Sequence, residues 1–363
     1  MSVYYFPRRI IIPILTMNKE LKDKFPLYKD DDIIEVQLPP NYIHNVGLLK
    51  DAIDTHKLIL VENHCMCNNQ HPELDIVVSE KDRYGLPIPQ VLCSKCGLIR
   101  SGKVFDEISN SLFYRDYYRS IYNYVKNATP DEIFDAHMVT SKRLYNTVTS
   151  HLDMSEIADV VEIGCSCGYN LYPFFLGGAK TVGFDYNKEY LECGRAKGLN
   201  LIYGDFYSQT PDNSFDLVIL NHVFEHFLDP INEIKRLLPK IRLQKYLYIE
   251  VPGIFYIKRA YGNPISYFQN AHVYNFYEDY LRVLFCKFGL KIIYGDERCT
   301  FICQKVNNDI PDIEEIYDDS LSKYVERIAR YLLICKNDWR KSWLKRLTKL
   351  CVKRLLSLLR KKQ

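Results

Sequence analysis

The 363-residue sequence lacks a hydrophobic run long enough to cross a membrane. A spanning helix needs about 20 apolar residues, whereas the run at 10–15 is short and is interrupted by Pro13. Since no small-residue cleavage site follows it, we predict neither a signal peptide nor a spanning segment and expect the protein in the cytoplasm. The sequence also lacks internal repeats and low-complexity segments, which excludes solenoid and extended disordered architectures.

The composition is that of a globular protein, with 47% hydrophobic and 26% charged residues. The net charge of +3 is unevenly distributed. From Lys336 to the end, 11 basic residues accompany one acid, Asp338, whereas the preceding 335 residues carry 37 basic and 44 acidic residues. The body is therefore mildly acidic. This disfavours a nucleic-acid partner, because binding to a phosphate backbone needs a basic surface.

From Asp159 onward, apolar runs alternate with helical patterns. Strands covered on both faces of a sheet are continuous apolar runs, and five such runs are present. Two further runs follow so closely that they form an antiparallel hairpin. The pattern predicts an α/β fold with a doubly wound, mostly parallel sheet and one reversed strand. The predicted strands are Asp159–Cys165, Thr181–Tyr186, Leu199–Asp205, Phe215–Asn221, Tyr246–Pro252, Leu290–Asp296 and Cys299–Val306.

Other segments are distinguished by composition. One holds two close cysteine pairs separated by turn-forming residues, and the next is rich in tyrosine and charge, which predicts connecting helices. The predicted organisation is an N-terminal segment of unknown role (1–60), a cysteine-rich module (61–104), a helical connector (105–154), the α/β domain (155–306) and a C-terminal helical region with a basic tail (307–363).

Glycines and polar residues follow the predicted strands, at the sheet edge where such folds bind nucleotides. The first strand leads into Gly164 and Gly168, whose lack of a side chain lets a ligand approach the backbone. Asp185 ends the second strand, where a carboxylate can accept hydrogen bonds from ribose hydroxyls. Asp205 ends the third strand and Asn221 the fourth. The pattern predicts a nucleoside-binding crevice.

In order and spacing, four segments resemble the motifs of class I S-adenosylmethionine-dependent methyltransferases: Glu162–Gly168, Gly183–Asp185, Gly204–Asp205 and His222–Pro230. The resemblance implies a seven-stranded sheet with strand order 3-2-1-4-5-7-6 and S-adenosylmethionine as cofactor. The cofactor-binding residues that it implies are Glu162, Gly164 and Gly168 around the methionine part, Asp185 at the ribose, Asp205 and Phe206 at the adenine, and in addition Cys165, Tyr186 and Asn221.

One position departs from the family pattern. Ser166 replaces the usual middle glycine of the first loop. This departure leaves open the alternative that the protein is a non-catalytic adaptor, which has the fold but does not catalyse methyl transfer. A measurement of cofactor binding would distinguish the two. A dinucleotide dehydrogenase is the competing enzyme class, but neither the terminal hairpin nor the stretch His222–Pro230 suits it.

Three histidines are candidates for a catalytic base. Positioning of the methyl donor and the acceptor supplies most of the acceleration of an in-line methyl transfer. A sugar hydroxyl also needs a proton acceptor, and histidine is suited to that role. His222 and His226 follow the fourth strand, and His272 lies in a later loop. His226 is the favoured base, and the alternative for each histidine is a structural hydrogen bond. The spacing of His222, Glu225 and His226 also resembles the Glu-x-x-Glu-His metal motif of quinone-biosynthesis O-methyltransferases. His222 stands in place of the first glutamate of that motif.

Four of the twelve cysteines form two close pairs, Cys65 with Cys67 and Cys93 with Cys96. Four thiolates suffice for a closed, tetrahedral Zn²⁺ site of the structural kind. The first pair is more closely spaced than usual, so His64 or His71 is an alternative ligand. The alternative to bound zinc is a set of unrelated buried thiols.

Three stretches resemble bacterial methyltransferases that carry a zinc-binding module before the catalytic domain: Asp82–Pro87, Cys93–Leu98 and Phe113–Arg119. Several such proteins are similar to deoxysugar methyltransferases and to enzymes of surface-polysaccharide pathways. The resemblance implies a small-molecule or lipid-linked glycan acceptor. An RNA methyltransferase with a four-cysteine knuckle is the alternative, although the acidic body and the lack of an Asn-Pro-Pro-aromatic signature after the fourth strand count against it.

The basic tail has an amphipathic pattern between Trp339 and Leu359. Apolar and basic residues on opposite helical faces are typical of a helix that lies in an anionic membrane interface. We therefore expect peripheral contact at the cytoplasmic face of a membrane, with a helix packed on the protein body as the alternative. The apolar face comprises Trp343, Leu347, Leu350, Cys351 and Leu358, and the basic face Lys345, Lys349, Lys353 and Arg360.

Overall fold

The computed structural model describes residues 19–31, 33–122 and 129–360, and the description of side chains ends at residue 343. The strands are β1 Leu60–Glu62, β2 Ile76–Ser79, β3 Gln90–Leu92, β4 Ile99–Ser101, β5 Lys103–Phe105, β6 Asp159–Ile163, β7 Lys180–Asp185, β8 Asn200–Tyr203, β9 Phe215–Asn221, β10 Ile241–Glu250, β11 Tyr274–Asn275, β12 Leu290–Gly295 and β13 Thr300–Lys305. The helices are α1 Lys19–Lys22, α2 Pro40–Asp54, α3 Glu107–Asp116, α4 Tyr118–Tyr122, α5 Pro130–Thr149, α6 Tyr172–Leu176, α7 Lys188–Ala196, α8 Phe206–Gln209, α9 Pro230–Leu237, α10 Ile257–Ala260, α11 Pro264–Tyr267, α12 Glu278–Lys287 and α13 Tyr324–Arg360.

Seven strands form the central sheet in the order β12-β13-β10-β9-β6-β7-β8. Neighbouring strands from β8 to β10 are parallel, and β13 runs antiparallel to both β10 and β12. Numbered from β6, this is the predicted order 3-2-1-4-5-7-6. The predicted α/β fold class is confirmed.

Both faces of the sheet are covered, because successive residues of a strand point to opposite sides. Within β9, Leu217 and Ile219 pack with residues of α5 to α7, whereas Val218 and Leu220 pack with residues of α9 and α12. Phe215 to Leu220 are all buried. This is why the central strands are continuous apolar runs in the sequence.

Several helices begin where the sequence supplies a capping side chain. Thr129 accepts from the Glu132 amide and Glu132 accepts from the Thr129 amide, a capping box that begins α5 with Pro130 in its first turn. The side chains of Asn187 and Asp205 cap α7 and α8. These caps begin helices immediately after the strands and so fix the loops at the sheet edge.

The cysteine-rich segment shares a second sheet with the second half of the chain. This sheet has the order β11-β4-β3-β2, and β4 pairs antiparallel with β11, with Tyr274 opposite Arg100. The Tyr277 hydroxyl donates to the Cys96 carbonyl at 2.6 Å. The Ser101 hydroxyl donates to the His272 carbonyl at 2.9 Å. The cysteine-rich segment therefore supports the loop that carries His272.

The C-terminal helix α13 packs on the protein body through its first three turns, where Val325, Ile328, Leu332 and Cys335 are buried. Farther along, Trp339 and Trp343 stack on each other and are exposed. Most of the predicted amphipathic pattern falls on side chains outside the described residues. None of the helices in the described part of the chain combines the length and apolar character that a bilayer crossing needs.

Candidate active site

The loop after β6 has the backbone shape of a ligand-binding turn. Gly164, Ser166 and Gly168 all have positive φ, at 71°, 52° and 75°. A Cβ on Gly164 would lie 2.7 Å from Val223 Cγ2, and one on Gly168 would lie 2.6 Å from Leu199 Cδ1. Both positions therefore require glycine. Ser166 adopts the left-handed conformation that the usual glycine would adopt.

Asp185 ends β7 beside this loop. Its carboxylate accepts from the Ser166 amide at 2.9 Å and from the Asn187 amide at 2.8 Å. The Arg119 guanidinium, which stacks on the Tyr190 ring, reaches Asp185 Oδ1 at 3.4 Å. Two backbone amides thus hold the carboxylate at the crevice, and the connector helix α4 supplies a cation to it.

Glu162 is fully buried at the end of β6. Its Oε1 accepts from the Asn170 side chain at 2.7 Å, whereas its Oε2 has no hydrogen-bond partner. Burial raises the pKa of Glu162 to about 8. An unpaired buried carboxyl oxygen needs a donor, and the amino group of the predicted cofactor's methionine part is one.

The residues predicted around the adenine lie in different environments. Asp205 accepts from the Ser208 amide and so acts as a helix cap. Phe206 is buried in the core against Phe184 and Phe215, and Cys165 is also buried. Tyr186, in contrast, is 67% exposed, with its ring centroid 6.0 Å from that of Tyr203. Tyr186 and Tyr203 therefore offer the exposed aromatic surface beyond Asp185.

A cluster of histidines and glutamates lies at the ends of β9 and β10. Glu225 is at its centre, in a 3-10 turn of residues Phe224–His226. Its Oε1 lies 3.6 Å from His222 Nδ1 and 3.7 Å from Nε2 of both His226 and His272. The structure thus brings the three predicted histidines together around one carboxylate, which we call the Glu225 cluster. Asn221, which precedes His222, ends β9 at the same edge.

The three histidines differ in exposure. The His226 side chain is 14% exposed, and its Nδ1 lies 3.0 Å from the Tyr114 hydroxyl. Burial lowers the pKa of His226 and lowers that of His272 further. The His222 side chain is 49% exposed and has positive φ. His222 is therefore the histidine of the cluster that a second substrate reaches most easily.

His222 is also flanked by a second glutamate. Its Nε2 lies 3.7 Å from Glu250 Oε1, and Glu250 accepts from Arg143 at 2.5 Å and from Tyr248 at 2.6 Å. Partial removal of the ring from water disfavours its charged form, but Glu225 and Glu250 outweigh this and raise the pKa of His222 above its ordinary value. The two carboxylates thus make His222 the most basic of the three rings.

Cys65, Cys67, Cys93 and Cys96 converge, and all four are buried. Neighbouring sulfurs lie 3.4 to 3.5 Å apart, too far for disulfides. Tetrahedral Zn–S bonds of about 2.3 Å place sulfurs about 3.8 Å apart, so this donor set fits a closed Zn²⁺ site. His71 is exposed and pairs with Glu73, and His64 is exposed as well. The structure therefore favours the four thiols over either alternative ligand.

Residues 134–294 match the family model of a methyltransferase domain. The match covers less than half of the chain, and no curated protein sequence matches the chain. The order of the seven strands agrees with the match.

Part of the chain is similar to several solved structures. A SAM-dependent methyltransferase from Methanosarcina mazei is 21% identical over 45% of this chain and 98% of its own, with a TM-score of 0.34. One from Thermotoga maritima is 18% identical over 49% and 94%, with a TM-score of 0.39. One from Aquifex aeolicus is 17% identical over 48% and 95%, with a TM-score of 0.38.

Sequence reasoning missed several residues at the site. Arg119, Tyr114 and Arg143 reach the crevice from helices outside the strand ends. Their positions depend on how α3 to α5 pack, and local sequence patterns do not reveal that packing. Glu250 was detectable in principle, because it ends the fifth strand next to His222 in the sheet.

Proposed function

We propose that the protein is an S-adenosylmethionine-dependent methyltransferase that methylates a sugar hydroxyl or a sugar carbon in surface-glycan or deoxysugar biosynthesis. One observation carries this proposal: the amide-bound carboxylate of Asp185 and the Glu225 cluster lie at the same edge of the sheet. Methyl donor and acceptor therefore have adjacent sites, and positioning of the two reactants is the main requirement of methyl transfer.

The chain's residues fit the cofactor. Gly164 and Gly168 let the methionine part approach the backbone, and Glu162 Oε2 is an unpaired acceptor for its amino group. Asp185 is placed for the ribose hydroxyls, and binding would replace its long contact with Arg119. When bound, the cofactor supplies an electrophilic methyl group on a sulfonium.

We place the proton acceptor at His222, ahead of His226, which the sequence alone favours. His222 is the more exposed ring, and its flanking carboxylates increase its basicity and stabilise the imidazolium that forms. His226 has Tyr114 on one ring nitrogen and Glu225 near the other. In this proposal His222 takes the proton of the acceptor hydroxyl, while His226 and His272 position Glu225.

A surface groove of about 500 Å³ that includes Arg143 supports a sugar acceptor. Arg143 lines this groove and pairs with Glu250, whose Oε1 also lies 3.7 Å from His222 Nε2. Hydrogen-bonding side chains and an aromatic ring suit a polyhydroxylated ligand. The groove is lined by Val139, Lys142, Arg143, Asn146, Thr147, Ser150, His151 and Tyr294.

We also propose a structural Zn²⁺ at the four cysteines and a cytoplasmic location with peripheral membrane contact through the tail. The exposed, stacked pair of Trp339 and Trp343 supports the membrane contact, because tryptophan favours the headgroup region. Attachment to the membrane would bring the enzyme to a lipid-linked glycan.

The test is transfer of label from methyl-labelled S-adenosylmethionine to separate pools of nucleotide sugars, glycolipids and RNA. We expect label in a sugar-containing pool and none in RNA. Asp185→Asn is the inactive control. Label in RNA alone would support the nucleic-acid alternative, and tight cofactor binding without transfer to any pool would contradict a sugar acceptor.

A further inference from the structure

The charge of Glu225 is not compensated by hydrogen bonds. Its side chain is 2% exposed, and neither carboxylate oxygen has a hydrogen-bond partner. The surrounding ring nitrogens are 3.6 to 3.7 Å away, too far for good hydrogen bonds. Burial of an unpaired carboxylate is strongly unfavourable. An ionised Glu225 therefore needs a cation nearby.

We propose that Glu225, His226 and His272 bind a divalent metal ion, separate from the four-cysteine site. One oxygen and two nitrogens from these residues lie within 4.8 Å of one another. A carboxylate with two imidazoles is a donor set for borderline divalent ions such as Zn²⁺, Fe²⁺ and Co²⁺. Such a set leaves coordination positions for water or an acceptor oxygen.

The surroundings of His226 fit a metal ligand. A ligating imidazole almost always donates its other N–H to an oxygen. Tyr114 Oη lies 3.0 Å from His226 Nδ1, and with the proton on Nδ1 the lone pair is on Nε2, the atom nearest Glu225. Tyr114 thus acts as a positioning residue for the ligand.

Gln269 provides a further donor. Its amide nitrogen contacts His272 Nε2, and its amide oxygen is buried without a partner. Half a turn of the terminal amide would exchange the two atoms and bring Gln269 Oε1 near His272 Nε2.

A protonated His222 is the competing source of positive charge, because its Nδ1 lies 3.6 Å from the same Glu225 oxygen. The two explanations differ in whether a metal ion binds. Only the catalytic consequence of the metal rests on the proposed function: a divalent ion beside His222 would lower the pKa of an acceptor hydroxyl.

The experiment is a Co²⁺ titration of the metal-stripped full chain, followed by absorption without methyl donor or acceptor. Cobalt at the four cysteines gives an intense thiolate charge-transfer band, whereas cobalt on nitrogen and oxygen ligands gives only weak visible bands. We expect two equivalents in the wild type and in the control Glu278→Gln, whose glutamate pairs with Arg282. Glu225→Gln and His272→Gln should each bind one equivalent and keep the charge-transfer band, which also reports that the variant is folded.

Stability provides the second readout. Metal-stripped Glu225→Gln should be at least as stable as metal-stripped wild type, because it removes an unpaired buried charge. A second equivalent of metal should raise the Tm of the wild type and of Glu278→Gln, but not that of Glu225→Gln. Saturation of the wild type at one equivalent, or two equivalents in Glu225→Gln, would overturn the proposal. Neither result would bear on the proposed methyl transfer, because the titration contains neither methyl donor nor acceptor.

Discussion

Two polar clusters within the described part of the chain differ in completeness. The four cysteines supply every ligand of a tetrahedral ion from two short turns, so that no position is open to a substrate. The Glu225 cluster leaves both carboxylate oxygens unpaired and exposes His222. A closed cluster stabilises a fold, whereas an open one can bind a substrate. The β4–β11 pairing connects them, so the first supports the second.

The largest expected effect comes from breaking the closed cluster. Cys96→Ser removes one ligand from a buried set, and we expect loss of zinc together with a decrease of about 3 kcal/mol or more in the free energy of unfolding. Zinc content and chemical denaturation measure this. Cys286→Ser, which changes an exposed cysteine, is the control. Equal stability of the two variants would show that the cysteine cluster has no structural role.

Changing His222 tests the open cluster. His222→Gln should lower kcat about 100-fold, with His44→Gln, at an exposed histidine of α2, as control. Because the flanking glutamates raise the pKa of His222, and only the neutral ring accepts a proton, the wild-type rate should rise with pH through that pKa. His222→Gln should lose this dependence. If His222→Gln keeps full activity and His226→Gln loses activity, His226 is the base instead.

A smaller effect is expected at Tyr114, which contacts His226 but not the predicted acceptor site. Tyr114→Phe removes the hydroxyl near His226 Nδ1, so kcat should fall about 3- to 10-fold with little change in KM. Steady-state kinetics measure the two constants. The control is Tyr117→Phe, whose hydroxyl contacts Lys57 instead. Equal kinetics of the two variants would contradict a positioning role.

The smallest effect on catalysis is expected from the tail. Deletion of 339–363 removes the tryptophan pair together with the basic tail and leaves the buried residues of α13 in place, so activity on a soluble acceptor should not change. Sedimentation with anionic vesicles should be lost, because each basic residue near such a surface contributes about 1 kcal/mol. Zwitterionic vesicles are the control. If the truncated chain still sediments with anionic vesicles, the tail is not the membrane contact.

The sequence predicted what local patterns encode. Strand β9 has the predicted bounds, Phe215–Asn221, since a central strand is apolar throughout, whereas β10 begins five residues earlier than predicted, at Ile241 rather than Tyr246. Three of the five added residues are polar and only Ile241 among them is buried, so no apolar run marked them. The glycines of the first loop were recognisable because backbone shape restricts residue type at these positions.

Contacts between distant segments could not be predicted. The β11 strand has two residues and pairs with a strand more than 170 positions earlier, so no periodicity reveals it. Phe206 was expected at the adenine because it follows Asp205, but its rotamer fills the core beside Phe184. Arg119 reaches Asp185 only through the packing of α4. Side-chain direction and helix placement depend on tertiary structure, which spacing does not encode.

The central claim is that the edge holding Asp185 binds S-adenosylmethionine. Isothermal titration of the full chain with this nucleoside should give one equivalent. Asp185→Asn should weaken binding at least tenfold, about 1.4 kcal/mol, whereas Asp212→Asn, at an exposed carboxylate that pairs with Lys240, should bind as the wild type does. No heat from the wild type, or the same affinity in Asp185→Asn, would contradict the account.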